Sequence, residues 1–296
     1  MARDVKQTTG QSVPRRGMKM MRAVITGCVL AGSLGGCIAL PSGAGATREV
    51  TRTTAVSDLM SLYQRPCPLA RPVVILSGYR TLGIHAASLE AKLRHATSGK
   101  EGDFLLLAYP LDTDMDDVAA YVVREVDKRW PSADPNQTVP VDVVGVSMGG
   151  LVARWAALPP AERVRGATDA PAPGAKRLNI VRLFTFSTPH RGAVMAEMIH
   201  IDPAARDMCA GSAFLDALDE HRSEFPYEMV CYAQMGDSIV GATRAAPPGE
   251  NPIWTEGTFL FSHLSVVENP IFAADVARRL RGQTPLVTPH GPPPHD

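Results

Sequence analysis

Short apolar runs alternate with amphipathic stretches between residues 73 and 280. The runs are rich in Val, Ile, Leu and Phe, a composition typical of parallel strands that are buried on both faces. The stretches between them repeat apolar residues at the spacing of a helix. This alternation predicts an α/β fold, with helices on both faces of a mostly parallel sheet. Strands are predicted over residues 73–76, 104–109, 141–144, 180–186 and 228–233, with a short strand or strand end at 258–261.

The predicted helices follow most of these strands. Residues 57–63 favour a short helix or an edge element, residues 193–225 are mixed, and the Pro- and Gly-rich stretch 245–257 is typical of a loop. Functional residues are expected where parallel strands end, because their carboxyl ends share one edge of the sheet. The clearest helical periodicity covers residues 85–95, 118–130, 271–280 and the stretch that follows Ser147.

One strand-to-helix junction carries the pattern G-x-S-x-G at residues 145–149. The pentapeptide alone is a weak indicator, and the buried strand before it and the helix after it strengthen the case. A serine on such a sharp turn needs small neighbours, which Gly145 and Gly149 supply. We therefore predict that Ser147 is a nucleophile. The alternative is an ordinary tight turn with a surface serine.

A serine hydroxyl needs a base within hydrogen-bond reach and an acid that orients the base. In α/β sheets that carry this junction, the partners follow in the order serine, acid, histidine. His263 fits because it comes just after a predicted strand, whereas His290 and His295 lie in a Pro-rich tail. Asp237 fits the acid because it directly follows the strand at 228–233. The other candidates lie in helical or loop sequence: Asp202, Asp207, Asp216 and Asp219.

The oxyanion of an acyl-transfer reaction needs two N–H donors. The backbone N–H of Met148, the residue after the nucleophile, is the first predicted donor. The second is predicted to be the N–H of Tyr79, in the loop after the first strand, where Gly78 lets the backbone turn.

Four segments of the sequence carry a resemblance to a known family: GVSMGGLVAR at residues 145–154, STPHRG at 187–192, GDSIV at 236–240 and HLS at 263–265. They resemble segments of lipase-type α/β-hydrolases, close to the PGAP1-like and lecithin:cholesterol-acyltransferase-like esterases. The chain departs from these lipases at Val146, where histidine is usual, and at Ser77-Gly78, where many have His-Gly. The resemblance implies an α/β-hydrolase fold with a small or absent cap.

These features predict a serine hydrolase that cleaves carboxylic esters, with acyl or lipid esters favoured by the resemblance. A small-molecule or lipid ester is the expected substrate. Two alternatives stay open: an acyltransferase that uses the same triad, and a non-catalytic envelope lipoprotein that uses the fold for binding. The TPH segment at residues 188–190 is interpreted as a structural turn, because His190 precedes the acid in sequence.

Composition and charge limit the domain size and the kinds of partner and cofactor that the sequence predicts. The 296 residues are enough for one sizeable α/β domain, predicted over residues 69–282. Lys plus Arg and Asp plus Glu both number 30, so the formal net charge is zero and no nucleic-acid partner is predicted. The C-x-x-C and H-E-x-x-H spacings of common metal sites are missing from the sequence, and we predict no metal and no cofactor.

Both ends of the chain are predicted to lie outside the domain. Residues 1–37 combine a basic start with a short apolar stretch that ends in LGGC, which resembles a lipobox with Cys37 as the lipidated residue. This predicts export to the cell envelope and a membrane anchor; the alternative is a plain secretory signal. Residues 38–68 are predicted to be a tether and N-terminal extension. Residues 283–296 are Pro-rich and predicted to be disordered.

Three cysteines follow the predicted signal: Cys67, Cys209 and Cys231. Export would place them in an oxidising compartment, where a pair can form a disulfide. We predict a Cys209–Cys231 bridge, which leaves Cys67 unpaired. The alternative is three buried free thiols.

Overall fold

The structure is a computed structural model and describes residues 50–97, 100–109, 111, 114–163, 174–224, 227–257 and 261–296. The predicted signal segment, Cys37 and residues 38–49 of the predicted tether lie outside these ranges. Among the described residues, no helix has both the length and the apolar composition needed to cross a membrane.

The described part of the chain is built around a six-stranded sheet. Its strands are β1 Val73–Leu76, β2 Phe104–Leu107, β3 Val141–Val146, β4 Ile180–Phe186, β5 Glu228–Gln234 and β6 Ile253–Thr255. Every neighbouring pair is parallel, in the order β2-β1-β3-β4-β5-β6. Strands β1 and β4 match their predicted ranges, β2, β3 and β5 differ from theirs by one or two residues, and β6 lies elsewhere.

Helices cover both faces of the sheet, so the predicted α/β architecture is confirmed. The helices are α1 Arg52–Tyr63, α2 Ile84–Ala96, α3 Met115–Arg129, α4 Met148–Ala157, α5 Val194–Met198, α6 Pro203–Asp207, α7 Ala213–Glu220, α8 Ser262–Ser265 and α9 Pro270–Leu280. The two faces form separate cores, because alternate residues of a strand point to opposite sides. In β1, Val74 and Leu76 join the core beneath α3 and α4, whereas Val73 and Ile75 join the core beneath α1, α2 and α9.

The N-terminal extension contributes a complete helix. Helix α1 begins at residue 52, earlier than predicted, with the Thr51 hydroxyl accepting a hydrogen bond from the N–H of Thr54. Its residues Ala55 and Leu59 are buried in the core shared with α9. The carboxylate of Asp58 pairs with Arg278 of α9 at 2.6 Å. The described part of this extension is therefore folded onto the domain.

The last strand lies elsewhere than predicted. Residues 258–260 of the predicted strand lie outside the described ranges, and β6 is formed by Ile253–Thr255, within the stretch predicted to be a loop. The three-residue run is too short to show a period of two between flanking Pro and Gly residues. It nevertheless pairs with β5 through Tyr232, Ala233 and Gln234.

The C-terminal tail, residues 283–296, whose composition predicts disorder, contacts the domain in this structure. The N–H groups of Leu286 and Val287 donate to the buried carboxylate of Asp275, at 2.6 and 3.1 Å. The indole N–H of Trp254 donates to the carbonyl of Gly291. Composition alone did not reveal these acceptors and donors, because they lie on β6 and α9.

Candidate active site

Ser147 lies at the turn between β3 and α4. Its φ of 52° and ψ of −124° are strained for a residue with a side chain. The turn is fixed from β4, since the N–H of Ser147 donates to the carbonyl of Phe186 at 2.8 Å. Ser147 is mostly buried, with 9% of the residue exposed, and it lines a cavity. The predicted elbow is therefore present as a strand–turn–helix unit.

Three glycines allow the elbow helix to approach the sheet closely. A Cβ on Gly145 would lie 2.5 Å from the backbone of Gly150. A Cβ on Gly149 would lie 2.5 Å from the carbonyl oxygen of Leu76 at the end of β1. A Cβ on Gly150 would lie 2.3 Å from the hydroxyl of Thr188. Real Cβ atoms do not occupy such positions, so glycine is required at each of these contacts.

The structure brings the three predicted side chains together in a line. The Oγ of Ser147 lies 3.1 Å from Nε2 of His263, and Nδ1 of the same ring lies 3.0 Å from Oδ2 of Asp237. His263 is on the short helix α8, and Asp237 follows β5 after Gly236, whose φ is 72°. With the proton on Nδ1, the ring donates to the carboxylate and accepts from the serine hydroxyl.

The carboxylate of Asp237 is held in place from both sides. Its Oδ1 accepts the N–H groups of Ile239 and Val240, each at 3.0 Å, while Oδ2 faces His263. Burial alone would raise the pKa of Asp237, but the hydrogen bond and charge of His263 and the backbone N–H of Val240 lower that pKa below its ordinary value. The group is therefore a carboxylate at neutral pH and can orient the imidazole.

The two predicted oxyanion donors belong to segments that adjoin Ser147. Met148 is the first residue of α4, so its N–H has no partner within the helix. The loop after β1 runs past Ser147, since a Cβ on Gly78 would lie 3.2 Å from the Cβ of Ser147. Tyr79 follows and lines the same cavity as Ser147. This placement is compatible with both predicted donors.

An apolar cavity of about 310 Å³ opens at the serine. It is bounded on one side by a segment that we call the cap segment, residues 193–208, which contains α5 and α6. Apolar side chains provide most of its walls, and the polar side chains that line it are those of Tyr79, Thr81, His85, Ser147 and His263. The apolar lining includes Ala193, Met195, Ala196, Ile199, Ala205, Met208, Ile239, Val240 and Leu264.

His190 is not part of this line of side chains. It is fully buried, with Nδ1 3.2 Å from the guanidinium of Arg154 and Nε2 3.2 Å from the hydroxyl of Thr185. Burial and the charge of Arg154 hold the pKa of His190 well below its usual range, so the ring is neutral. This agrees with the interpretation of the TPH segment as a structural turn.

Two contacts at the site were missed in the sequence. The hydroxyl of Thr188 donates to the carbonyl of Ser147 at 2.8 Å, so the TPH turn holds the elbow residue. Asp202, considered as an alternative acid, instead accepts hydrogen bonds from Tyr79 and Arg80. The TPH motif drew attention to Thr188 but did not show that its hydroxyl contacts Ser147. No local sequence pattern indicated the contacts of Asp202.

One group of side chains elsewhere has the spacing of metal ligands. Glu162, His221 and Glu224 bring one ligand atom each to within 4.8 Å of one another, near the surface. These residues do not line the cavity at Ser147.

The predicted disulfide between Cys209 and Cys231 is not formed. Cys67, Cys209 and Cys231 are free thiols in the structure. Cys231 lies in β5 with its sulfur buried 3.7 Å from Nε2 of His190, whereas the Cys209 thiol contacts the carbonyls of Ala196 and Ala205. The two sulfurs are therefore held by different partners. The alternative of free thiols is the one observed, although only Cys231 is fully buried.

Comparison with known proteins supports the fold. Lipase B of Aspergillus fumigatus superposes with a TM-score of 0.51 at 16% identity, over 73% of this chain and 53% of that one. The chain thus spans about half the length of that lipase. It has the α/β-hydrolase fold. The mature lipase BlEst2 of Bacillus licheniformis is also similar, with a TM-score of 0.46 and 16% identity over 74% of this chain and 94% of that one. No family model and no curated protein matches the chain.

Proposed function

We propose that the protein is a serine hydrolase that cleaves carboxylic esters through Ser147, His263 and Asp237. One observation carries this proposal: the two hydrogen-bond distances, 3.1 Å and 3.0 Å, that link the serine hydroxyl through the imidazole to a buried carboxylate. The strained elbow and the adjacent cavity add what a nucleophile requires, a hydroxyl that borders a cavity and space for a substrate.

The reaction would proceed through an acyl-enzyme. Ser147 Oγ attacks the ester carbonyl carbon while Nε2 of His263 takes the hydroxyl proton. The N–H groups of Met148 and Tyr79 stabilise the oxyanion, and Asp237 stabilises the imidazolium. The bond to the alcohol then breaks, and His263 gives its proton to the leaving oxygen. Water attacks the acyl-enzyme, His263 takes its proton, and that proton returns to Ser147 as the acid leaves.

The cavity supports an apolar acyl group as the part of the substrate that is bound. Its walls are mostly aliphatic and sulfur-containing side chains, so an extended acyl chain would displace water from apolar surface. A charged or sugar-like group would find few hydrogen-bond partners there beyond the reacting residues. We therefore place the acyl chain between the serine and the cap segment.

A fluorophosphonate probe and p-nitrophenyl esters test this proposal. The wild type should be labelled on the peptide that contains Ser147 and should hydrolyse short-chain esters, and Ser147→Ala should lose both properties. Ser61→Ala, on α1 and outside the site, is the matched control and should behave as the wild type. Retained turnover in Ser147→Ala, or labelling of a different residue, would remove the assignment.

A further inference from the structure

The carboxylate of Asp202 joins two segments that are distant in sequence. Its Oδ1 accepts the N–H of Ala205 at 2.9 Å and so caps the first turn of α6 in the cap segment. Its Oδ2 accepts the phenol O–H of Tyr79 and a guanidinium N–H of Arg80, the latter at 2.9 Å. Asp202 thus ties the cap segment to the loop that follows β1.

The loop held in this way is strained. Arg80 has a φ of 51°, a left-handed conformation that is unfavourable for a residue with a side chain. Such conformations persist only where the surroundings fix them. The Asp202 side chain is mostly buried, with 9% exposed, whereas 47% of the Arg80 side chain is exposed. The loop is closed locally by the hydroxyl of Thr81, which donates to the carbonyl of Gly78 at 3.0 Å. The buried carboxylate of Asp202 is the contact that fixes this loop to the cap segment.

The same loop lies against the nucleophile. A Cβ at Gly78 would be 3.2 Å from the Cβ of Ser147, and Tyr79 lines the cavity beside it. In the proposed mechanism the backbone N–H of Tyr79 is an oxyanion donor. A donor must stay within hydrogen-bond distance of the developing charge, and a small displacement weakens it steeply. The side chain of Tyr79 is anchored to Asp202, so the position of its N–H depends on that contact.

The charges suit a permanent anchor. Burial alone would raise the pKa of Asp202, but hydrogen bonds from Tyr79, the N–H of Ala205 and Arg80 lower that pKa below its ordinary value. Burial and the contact with Asp202 raise the pKa of Tyr79 to about 12. The aspartate therefore stays ionised and the phenol stays a donor across the pH range in which esters are assayed.

We propose that Asp202 is a positioning residue of the active site: from the cap segment, it holds the loop of Tyr79 and Arg80 in the conformation that presents the oxyanion donor to Ser147. This inference rests on the proposed function, since it assigns a role in the same reaction.

The test compares Asp202→Asn with Asp114→Asn. Asparagine caps helices about as well as aspartate, so each variant keeps an acceptor for its own helix, α6 or α3, while losing the charge. We expect Asp202→Asn to lower kcat about tenfold with little change in KM, less than the 10²–10³-fold cost of removing an oxyanion donor outright. Tyr79→Phe should lower kcat in the same direction, and the double variant should lose little more. Asp114→Asn should match the wild type.

Hydrogen exchange supplies a second measurement that does not depend on turnover. The amides of residues 78–82 should exchange faster in Asp202→Asn than in Asp114→Asn. An unchanged kcat, or a raised KM at constant kcat, would overturn the inference whatever the exchange shows, since Asp202 would then affect only access or packing. If the wild type shows no turnover, the proposed function fails. If the wild type is active and only the expected effect of Asp202→Asn is missing, the role of Asp202 alone fails.

Discussion

Replacing Gly149 with alanine tests whether the elbow helix lies as close to β1 as the structure has it. The new methyl carbon would lie 2.5 Å from the carbonyl oxygen of Leu76, 2.7 Å from that of Ser77 and 2.9 Å from the carbonyl carbon of Leu76. All three are backbone atoms of a buried strand end, so no side chain can swing away. The start of α4 must move by several tenths of an ångström.

Overpacking of this kind costs about 1–3 kcal/mol. For a domain of this size each kcal/mol lowers Tm by about 2–4 °C, so Gly149→Ala should lower it by about 2–12 °C. We also expect turnover to fall, because the shift moves Met148 and Ser147. A displacement near 1 Å can lower a reaction rate about 10²-fold.

The assay is thermal unfolding followed by circular dichroism, together with ester turnover at a temperature where the variant is fully folded. Gly102→Ala is the control, because the nearest atom to its added methyl is the end of the flexible Arg129 side chain, at 3.6 Å. A Gly149→Ala protein with the Tm and kcat of the wild type would show that the close approach of α4 to β1 is wrong.

Three further predictions concern the acid, a thiol and the tail. The pKa of Asp237 is depressed below 3.8, so its stabilising contribution is present above that pH and is lost as the pH falls through the folded pKa. Asp237→Asn should therefore lower Tm at pH 7 but less at pH 3, and should reduce kcat by about 10²–10⁴-fold; an equal Tm loss at both pH values would contradict this. Burial raises the pKa of Cys231 to about 12, so mass spectrometry after iodoacetamide treatment at pH 8 should find Cys231 unmodified until the protein unfolds, and rapid modification in the native state would contradict its burial. Deleting residues 283–296 removes the buried side chain of Val287, exposes the apolar surface that it covers and removes two hydrogen-bond donors from Asp275. Calorimetry should therefore show a Tm lower by roughly 5 °C or more. An unchanged Tm would mean that the tail adds no stability.

The sheet was predictable because its central strands are buried on both faces. Strand β4 was predicted at its observed bounds, since Ile180–Phe186 has an apolar run and sharp ends. Strand β6 was not predicted, because Ile253–Thr255 is too short for a period and its partner strand is remote in sequence. The fold of the tail was missed for a related reason: its hydrogen-bond partners, such as Asp275, are only identified once the chain is folded.

The line of Ser147, His263 and Asp237 was predicted from chain order and strand ends, two properties that a linear sequence carries. The residues that hold this line were not. Thr188 acts through a hydrogen bond to Ser147, and Asp202 through hydrogen bonds from Tyr79 and Arg80. In both cases the partners are distant in sequence. The predicted disulfide has the same origin, because Cys209 and Cys231 are free thiols whose contacts with other groups cannot be read from sequence spacing.

Backbone strain in the described residues is concentrated at one edge of the sheet. The non-glycine residues with positive φ are Arg80, Ser147 and Ser187, at 51°, 52° and 44°. They follow β1, β3 and β4, which are neighbours in the sheet, so the three strained turns lie side by side. Each costs about 1–3 kcal/mol and is kept only where the rest of the structure outweighs it. Here the buried strands fix where each turn begins, and single contacts fix where it ends: Asp202 for the first turn and Thr188 for the second. Ser147 thus lies among turns at the carboxyl ends of buried strands, and contacts within the protein fix its geometry.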